Sequence, residues 1–192
     1  MTKPPPLVHT EDLKPLLRSL KDTGLYCGYF QQGILSKVLV NQKRFLVEWG
    51  HCDPAGIVFF PQYLAWFDEC TTALFAKAGM PIHQLLKASG IVGIPLVDVK
   101  TTFLVPSTFG DQLLAKSSVS EFRRSSFVIH HQFFKSRTLA VDGFETRVWT
   151  ARDPDDPERL KSRPLPPEVI ERLSGPRHRG KRRSPGTAGA HT

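Results

Sequence analysis

The stretch from Pro61 to Gly79 constrains the fold of this chain more than any other segment. Proline is tolerated in the first turn of a helix, and Gly79 followed by Pro81 ends one. Between these limits apolar residues recur close to the helical period of about 3.6 residues and extend around the cylinder. They are Leu64, Trp66, Phe67, Cys70, Ala73, Leu74, Phe75 and Ala78. A helix that is apolar on most sides should be buried on most sides, so other structure is predicted to wrap around it.

Strand-like runs surround this helix in the sequence. Runs of β-branched and other apolar residues cover 38–40 and 45–47 before it, and residues 82–89 form a second helical stretch after it. Four longer runs follow, separated by residues typical of turns. These runs are 94–105, 112–121, 125–134 and 138–150. The order predicts an α+β fold in which an antiparallel sheet curls round one long helix.

The two ends of the chain differ from its middle. Residues 1–40 contain three consecutive prolines and only a weak helical stripe, so we interpret them as an N-terminal extension. Residues 152–157 are predicted to be a polar linker, and 166–173 a closing helical turn. Residues 174–192 are rich in Gly, Pro, Ser, Arg and Lys, which predicts a basic disordered tail. A single folded domain is therefore predicted for 41–173.

The net charge of +8 arises largely at the C-terminus. Residues 174–192 carry five Lys or Arg and no acidic residue, which leaves +3 for the rest of the chain. The basic balance therefore does not indicate a specific nucleic-acid partner. No apolar run approaches the ~18 residues of a membrane span, and the N-terminus lacks the apolar core of a signal peptide. Together with three scattered cysteines, these features predict a reduced, cytoplasmic protein.

The segment 50–61, GHCDPAGIVFFP, carries the chemistry of this chain. It sets one acidic side chain, Asp53, in a turn of small residues directly before the long helix. The first N–H groups of a helix have no partner within it and can stabilise a developing oxyanion. An ionised carboxylate beside such groups can attack or deprotonate a molecule bound there. The segment therefore predicts an enzyme.

Three segments together resemble the 4-hydroxybenzoyl-CoA thioesterase family of hot-dog folds. They are residues 47–68, residues 90–95 (GIVGIP) and residues 121–128 (EFRRSSFV). The resemblance implies a hot-dog fold, with a five-stranded antiparallel sheet wrapped around one long central helix. It also implies self-association into dimers or tetramers with the active site between subunits. The implied reaction is hydrolysis of a small, aromatic acyl-CoA to the free acid and CoA, with no metal or other cofactor.

The resemblance also implies roles for individual residues. Asp53 becomes the catalytic carboxylate, either as a nucleophile that forms an anhydride or as a general base that activates water. The backbone N–H of Phe60 becomes the donor to the carbonyl oxygen, so its position matters more than its residue type. Asp68 occupies the position that recognises the ring hydroxyl of hydroxybenzoyl substrates. His51 stands where the family has Asp, and we assign it to the substrate-binding surroundings of Asp53.

Residues Arg123, Arg124 and Ser125 match the segment in which the family contacts the phosphates of CoA. Guanidinium groups suit that role because they donate two parallel hydrogen bonds to phosphate oxygens. Ser125 departs from the family, where one member has Lys, and this weakens the phosphate prediction at that position. Phe60 also departs, because Tyr or His is common there. A related envelope-associated branch usually has that His, so the sequence favours the aryl-CoA branch.

Structural interpretations stand beside these roles. Asp53 in a glycine-bounded turn can serve the turn alone, Asp68 can be a solvated helix carboxylate, and the arginine pair can be a solvated turn. Cysteine nucleophiles need a base, and Cys52 has only His51 beside it in a tight turn. The sequence lacks the spacing of a zinc site, a serine hydrolase elbow and a phosphate-cradling glycine motif. The candidate metal ligands, which we do not favour, are His51, Cys52, His83, His130 and His131.

Two functional alternatives remain open at this point. The substrate can be a short- or medium-chain aliphatic acyl-CoA rather than an aromatic one. The protein can also be a non-catalytic hot-dog dimer that binds partners through residues 1–40 and the basic tail. Resemblance of fold does not choose between an enzyme and such a module, whereas the acidic residue in the 50–61 segment favours the enzyme.

Overall fold

The structure of the protein is a computed structural model, and it describes residues 38–175. The predicted extension 1–40, except for its last three residues, and the tail from residue 176 onward lie outside these residues. The predictions made for both ends therefore stay predictions. Within residues 38–175, no helix is both long and apolar enough to cross a membrane.

The central helix, α1 (Phe60–Lys77), lies where the sequence predicts it. Pro61 is in its first turn, and the chain leaves the helix at Gly79, whose φ of 73° is favourable for glycine. The apolar positions are buried, including Trp66, Phe67 and Leu74. Two shorter helices, α2 (Ile82–Ser89) and α3 (Pro167–Ser174), also match predicted helical stretches.

A five-stranded antiparallel sheet packs against α1 in the order β1-β3-β4-β5-β2. Inward-facing side chains alternate with outward-facing ones along β3, β4 and β5, as expected for strands with one face on a core. The predicted hot-dog architecture, α+β with one sheet around one helix, is confirmed. The strands are β1 (Asn41–Leu46), β2 (Leu96–Phe103), β3 (Gln112–Phe122), β4 (Ser126–Lys135) and β5 (Thr138–Val148).

Two predictions about the elements are wrong. The first strand is the single run β1, whereas residues 38–40, predicted as a strand, lie before it. Residues 152–157 were predicted as a linker between elements, but they lie at a hairpin between β6 (Thr150–Arg152) and β7 (Leu160–Ser162). The reason is the same in both places. The first four residues of β1 and two of the three residues of β7 are polar, so these segments lack the apolar pattern of a half-buried strand.

The buried residues form two clusters on either side of the middle of α1. One contains the second half of α1, Trp149 and residues of α3, including Leu173. The other contains Trp66 and Phe67 of α1 together with Phe133 of β4. Because the second cluster joins the start of α1 to the sheet, it holds the helix N-terminus in a fixed position.

The Phe67 side chain of helix α1 meets strand β5 at Gly143. A Cβ atom on Gly143 would lie 2.4 Å from Cζ of Phe67, well inside van der Waals contact. The Phe67 ring also stacks on the His131 imidazole, with centroids 4.6 Å apart. Glycine at position 143 therefore leaves room for the Phe67 ring against the sheet beside the polar residues of β5.

Candidate active site

The Asp53 segment forms a tight loop that closes on the start of α1. Cys52 and Val58 pair as an antiparallel bridge, and the Asp53 N–H donates to the Ile57 carbonyl at 2.9 Å. Gly56 has a φ of 78° and donates its N–H to the Asp53 carbonyl at 2.9 Å, which explains why glycine follows the Pro54-Ala55 pair. The loop therefore brings Asp53 beside the residues that begin the helix.

The carboxylate of Asp53 is half-buried and partly engaged. Its Oδ1 accepts the Ala55 N–H at 2.8 Å, an arrangement typical of Asp in a turn. Within residues 38–175, Oδ2 has no hydrogen-bond partner. One oxygen thus fixes the side chain while the other is open to a bound molecule.

The backbone of Phe60 offers a donor at the same place. The Phe59 N–H donates to the His51 carbonyl, and the Gln62 N–H donates to the Phe59 carbonyl, each at 2.9 Å. Pro61 has no N–H. In the part of the chain that the structure describes, the Phe60 N–H has no acceptor, as expected for a first-turn amide. The two residues that the sequence predicts as catalytic therefore lie on one loop and in the first turn of the helix that the loop leads into.

His51 lies under this loop and is held by its neighbours. Its Nδ1 accepts the Glu48 N–H at 2.9 Å, and its ring meets the Trp66 ring edge-on, with centroids 5.3 Å apart. Its carbonyl accepts the Phe59 N–H at 2.9 Å. These contacts make His51 a support of the Asp53 loop. Its assignment to substrate binding stays a prediction.

Asp68 lies on α1, eight residues after Phe60, and its side chain is 66% exposed. Its Oδ1 accepts a hydrogen bond from Nη2 of Arg147 at 2.7 Å. Arg147, a residue of β5 that the sequence analysis did not single out, is itself almost fully buried. The structure therefore joins Asp68 to a buried cation rather than leaving it as an isolated surface carboxylate.

Arg147 is one member of a polar cluster between α1 and the sheet. Its guanidinium donates from Nε to Oε1 and from Nη2 to Oε2 of Glu145, at 2.8 and 3.1 Å. The hydroxyl of Thr71 also donates to Oε1 of Glu145. On the far side, Nε2 of His131 lies 3.2 Å from the same Oε1 without the alignment of a hydrogen bond.

The protonation states of this cluster follow from its burial and contacts. Burial raises the pKa of Glu145, but the contacts with His131 and Arg147 outweigh it and bring that pKa to about 2. Burial lowers the pKa of His131, and the neighbouring Glu145 only partly opposes this. At neutral pH the cluster therefore holds an ionised Glu145, a protonated Arg147 and a neutral His131.

A serine–histidine–acid arrangement exists inside this cluster, because Oγ of Ser117 and Nδ1 of His131 lie 2.8 Å apart. The exposed fractions of Ser117, His131 and Glu145 are 2%, 0% and 1%. The Ser117 hydroxyl is thus sealed from substrate, and the arrangement is structural. The sequence contains a signal for this polar cluster. Glu145 and Arg147 are two positions apart in a predicted strand, so both lie on its inward face, where charged residues are rare unless paired.

The predicted CoA-binding residues lie in the connection between β3 and β4. Arg123 donates two hydrogen bonds to the Glu121 carboxylate, at 2.9 and 3.0 Å, and this contact lowers the pKa of Glu121. The carbonyls of Arg124 and Ser125 accept N–H groups of Leu165 and Trp149, at 2.9 and 2.8 Å. The backbone is therefore fixed, and the exposed Arg124 side chain projects from a rigid turn.

The arginine pair and Asp53 lie at opposite ends of one strand. Ile57 of the Asp53 loop forms a bridge with Thr108, just before β3 begins, whereas Arg123 follows the last residue of β3. Eleven strand residues cover a path of roughly 35 Å. A single subunit therefore does not bring these two groups of predicted site residues together.

The remaining reactive side chains offer no second centre in the described residues. Burial raises the pKa of the Cys70 thiol to about 12, so it carries no thiolate at neutral pH. His130 and His131 point to opposite faces of β4, as predicted; Nε2 of His130 lies 2.6 Å from Oδ1 of Asp142. Nowhere in residues 38–175 do three or more metal-ligating side chains converge.

An antiparallel sheet wrapped around one helix, with an acidic loop at the N-terminus of that helix, defines a hot-dog protein of the thioesterase type. Residues 47–173 match the model of the family described as the Thioesterase-like superfamily. The chain belongs to this family, and the prediction that it is a thioesterase is confirmed.

Individual relatives support the same assignment. The chain is 34% identical to the 4-hydroxybenzoyl-CoA thioesterase of Pseudomonas sp. (strain CBS-3), over 73% of this chain and 100% of that protein. A solved structure of a 4-hydroxybenzoyl CoA thioesterase mutant complexed with 4-hydroxybenzoyl CoA is similar, with a TM-score of 0.65, 32% identity, and coverage of 71% and 99%. A gentisyl-coenzyme A thioesterase structure has a TM-score of 0.60 and 29% identity, covering 70% of this chain and all of the other.

Proposed function

We propose that this protein hydrolyses a small aromatic acyl-CoA, of the hydroxybenzoyl type, to the free acid and CoA. The observation that carries the proposal is the half-buried Asp53 on a tight loop that leads directly into the unpaired Phe60 N–H at the start of α1. The names of the two aligned thioesterases, which refer to hydroxybenzoyl and gentisyl thioesters, favour an aromatic substrate over an aliphatic one.

In this proposal the thioester carbonyl oxygen accepts a hydrogen bond from the Phe60 N–H. That amide and the positive end of the α1 dipole stabilise the negative charge as the carbonyl carbon becomes tetrahedral. A donor that is already in place costs no reorganisation at the moment of reaction. Such a donor typically raises the rate by a factor of about 10² to 10³.

Asp53 can act in either of two ways. As a nucleophile, its Oδ2 bonds to the acyl carbon, the C–S bond breaks, CoA leaves as the thiolate, and water then hydrolyses the mixed anhydride. As a general base, it takes a proton from water while the water oxygen attacks the same carbon and CoA leaves. Both routes use only this side chain, the amide and water, in keeping with the prediction that no cofactor or metal takes part.

The proposed site extends over more than one copy of the chain. The path of roughly 35 Å along β3 separates Asp53 from Arg124, so we assign the CoA-phosphate contacts of Arg124 to a substrate held in the Asp53 loop of another subunit. Arg124 suits this role better than Arg123, whose guanidinium is engaged with Glu121. The contribution of Ser125 rests on its hydroxyl alone.

A panel of CoA thioesters tests the proposed function. We expect release of free CoA thiol from 4-hydroxybenzoyl-CoA and benzoyl-CoA, with lower kcat/KM for acetyl- and octanoyl-CoA. Faster cleavage of the aliphatic thioesters would instead support the alternative substrate class. If the full-length protein released no thiol from any member of the panel, the non-catalytic alternative would hold.

A further inference from the structure

We propose that Arg147 is a positioning residue for substrate selection: held by Glu145, it orients the Asp68 carboxylate toward a hydroxyl group on the acyl portion of the substrate. This inference rests on the proposed function and deepens it. The family resemblance already implies that Asp68 recognises a ring hydroxyl. The inference adds the buried residues Arg147 and Glu145, which the predicted site does not include, as the groups that position Asp68.

The contacts around Arg147 form a closed ring. Helix α1 contributes Asp68 and, one turn later, Thr71, while β5 contributes Glu145 and Arg147. Asp68 accepts from Arg147 at 2.7 Å, Arg147 binds both oxygens of Glu145, and Thr71 donates to Glu145. Two of these contacts, Asp68 with Arg147 and Thr71 with Glu145, join α1 to β5. The ring therefore fixes the position of Asp68 relative to the sheet.

The ring leaves one oxygen of Asp68 available. Arg147 binds Oδ1, whereas Oδ2 has no hydrogen-bond partner in the chain between residues 38 and 175. A surface carboxylate normally samples several rotamers, and fixing it removes the entropy cost of ordering it on binding. The free Oδ2 is therefore a preorganised acceptor, suited to an O–H donor.

The charges of the ring decide which donor fits. The single positive charge of Arg147 is shared between two carboxylates, Glu145 and Asp68, so the ring has a net charge of −1. Such a site attracts a phenolic O–H and repels an acyl group that carries its own carboxylate. An aromatic acyl group without a hydroxyl does not gain this attraction.

The distance along α1 is compatible with this role. Asp68 lies eight residues beyond Phe60, a rise of about 12 Å, and side chains on a helix lean toward its N-terminus. A substituted aromatic ring, with one hydrogen bond at its thioester carbonyl and one at its hydroxyl, bridges a gap of this order. The two ends of the acyl group can thus be held at two points on α1: the carbonyl oxygen at the helix start and the hydroxyl at Asp68.

The test compares kcat/KM for 4-hydroxybenzoyl-CoA with kcat/KM for benzoyl-CoA in matched variants. Arg147→Gln alone leaves Glu145 buried without its partner and can fail to fold, so the main variant is Glu145→Gln combined with Arg147→Met, which removes both charges. We expect this pair, and likewise Asp68→Asn, to reduce the ratio of the two kcat/KM values roughly tenfold to a hundredfold. Adding Asp68→Asn to the pair should reduce it no further.

Two further variants separate positioning from general stability. Arg147→Lys keeps the charge without the two-pronged geometry and should give an intermediate ratio. Glu69→Gln changes the neighbouring carboxylate on α1, which binds Lys43 outside the ring, and should leave the ratio unchanged. A purely structural role for Arg147 would lower kcat/KM for both substrates equally.

The outcomes distinguish the inference from the proposed function. If the wild-type protein prefers 4-hydroxybenzoyl-CoA and Asp68→Asn abolishes this preference, but the Glu145/Arg147 pair retains it, the positioning role is wrong and the function stands. If the wild type cleaves neither aromatic thioester, the function and the inference both fail. A preference for 4-carboxybenzoyl-CoA over benzoyl-CoA would contradict the charge argument.

Discussion

The two oxygens of the Asp53 carboxylate have different surroundings, and the proposed chemistry depends on this difference. Oδ1 is bound to the Ala55 N–H at 2.8 Å, which fixes the side chain in the turn, while Oδ2 is open. Asp53 can therefore stabilise the turn with one oxygen and take part in the reaction with the other. The hydrogen bond that makes Asp53 a good turn residue also restricts the directions in which its second oxygen can attack.

The backbone donor at Phe60 can be removed without removing the helix. Phe60→Pro deletes the N–H in the first turn, where proline is well tolerated, and the preceding Phe59 already has the extended conformation (φ −62°, ψ 125°) that proline requires. We expect kcat to fall about 10² to 10³-fold, with little change in Tm.

Phe60→Ala is the matched control, because it removes the same ring and keeps the N–H. It should retain kcat within a few-fold of the wild type in the same steady-state assay. Equal losses of kcat in the two variants would show that the side chain, and not the amide, carries the effect.

At the scale of the elements, the relation between α1 and β5 was only partly predictable from the sequence. The helix, the four strands that follow it and their order could be predicted, because each has its own apolar period. The contact between Asp68 and Arg147 joins residues 79 positions apart, and nothing local in the sequence encodes such a pairing. Strand β7 and the first four residues of β1 were not predicted, because these segments consist mainly of polar residues.

The close contact between α1 and β5 makes Gly143→Ala a sharp test of this packing. The new Cβ would lie 2.4 Å from the buried ring of Phe67, which cannot retreat because it stacks on His131. Overpacking of this kind costs about 1–3 kcal/mol. We therefore expect urea unfolding to show a free energy of unfolding lower by that amount.

A second substitution at the contact supplies the control. Phe67→Leu destabilises the protein by itself, but it shortens the side chain that the new methyl group meets. Gly143→Ala should therefore cost less in the Phe67→Leu background than in the wild type, and a double-mutant cycle measures the difference. Strictly additive effects would mean that the two residues do not press on each other.

At the scale of the whole molecule, the predicted self-association directs attention to the exposed edge of the sheet. Strand β2 is at one end of the strand order, and it leaves Val97 and Phe103 exposed by 59% and 41%. An open, apolar strand edge is normally covered. We propose that a second copy pairs along β2, in agreement with the dimer or tetramer predicted from the family resemblance.

A mixing experiment tests whether the sites combine residues of different subunits. Arg124→Ala alone should raise KM roughly tenfold at unchanged kcat, because it removes a phosphate contact made equally in substrate and transition state. Asp53→Asn alone should have only slight residual activity. Co-expressed and purified through two different tags, the two variants form mixed oligomers in which intact sites pair Asp53 of one subunit with Arg124 of the other.

These mixed oligomers should contain a fraction of sites with the wild-type KM. If Arg124 instead served the Asp53 loop of its own subunit, every active site in the mixture would keep the high KM of Arg124→Ala. The assignment of CoA-phosphate contacts across the subunit boundary would then be wrong.

Single-turnover hydrolysis by Asp53→Asn tests the central claim most directly. Asn retains an oxygen for the Ala55 N–H, so the loop and the Tm should be preserved while the nucleophile or base is lost. With the best thioester of the panel, we predict that the rate of thiol release falls by about 10² to 10⁴ at unchanged substrate affinity. A folded Asp53→Asn protein that releases thiol at the wild-type rate would contradict the account.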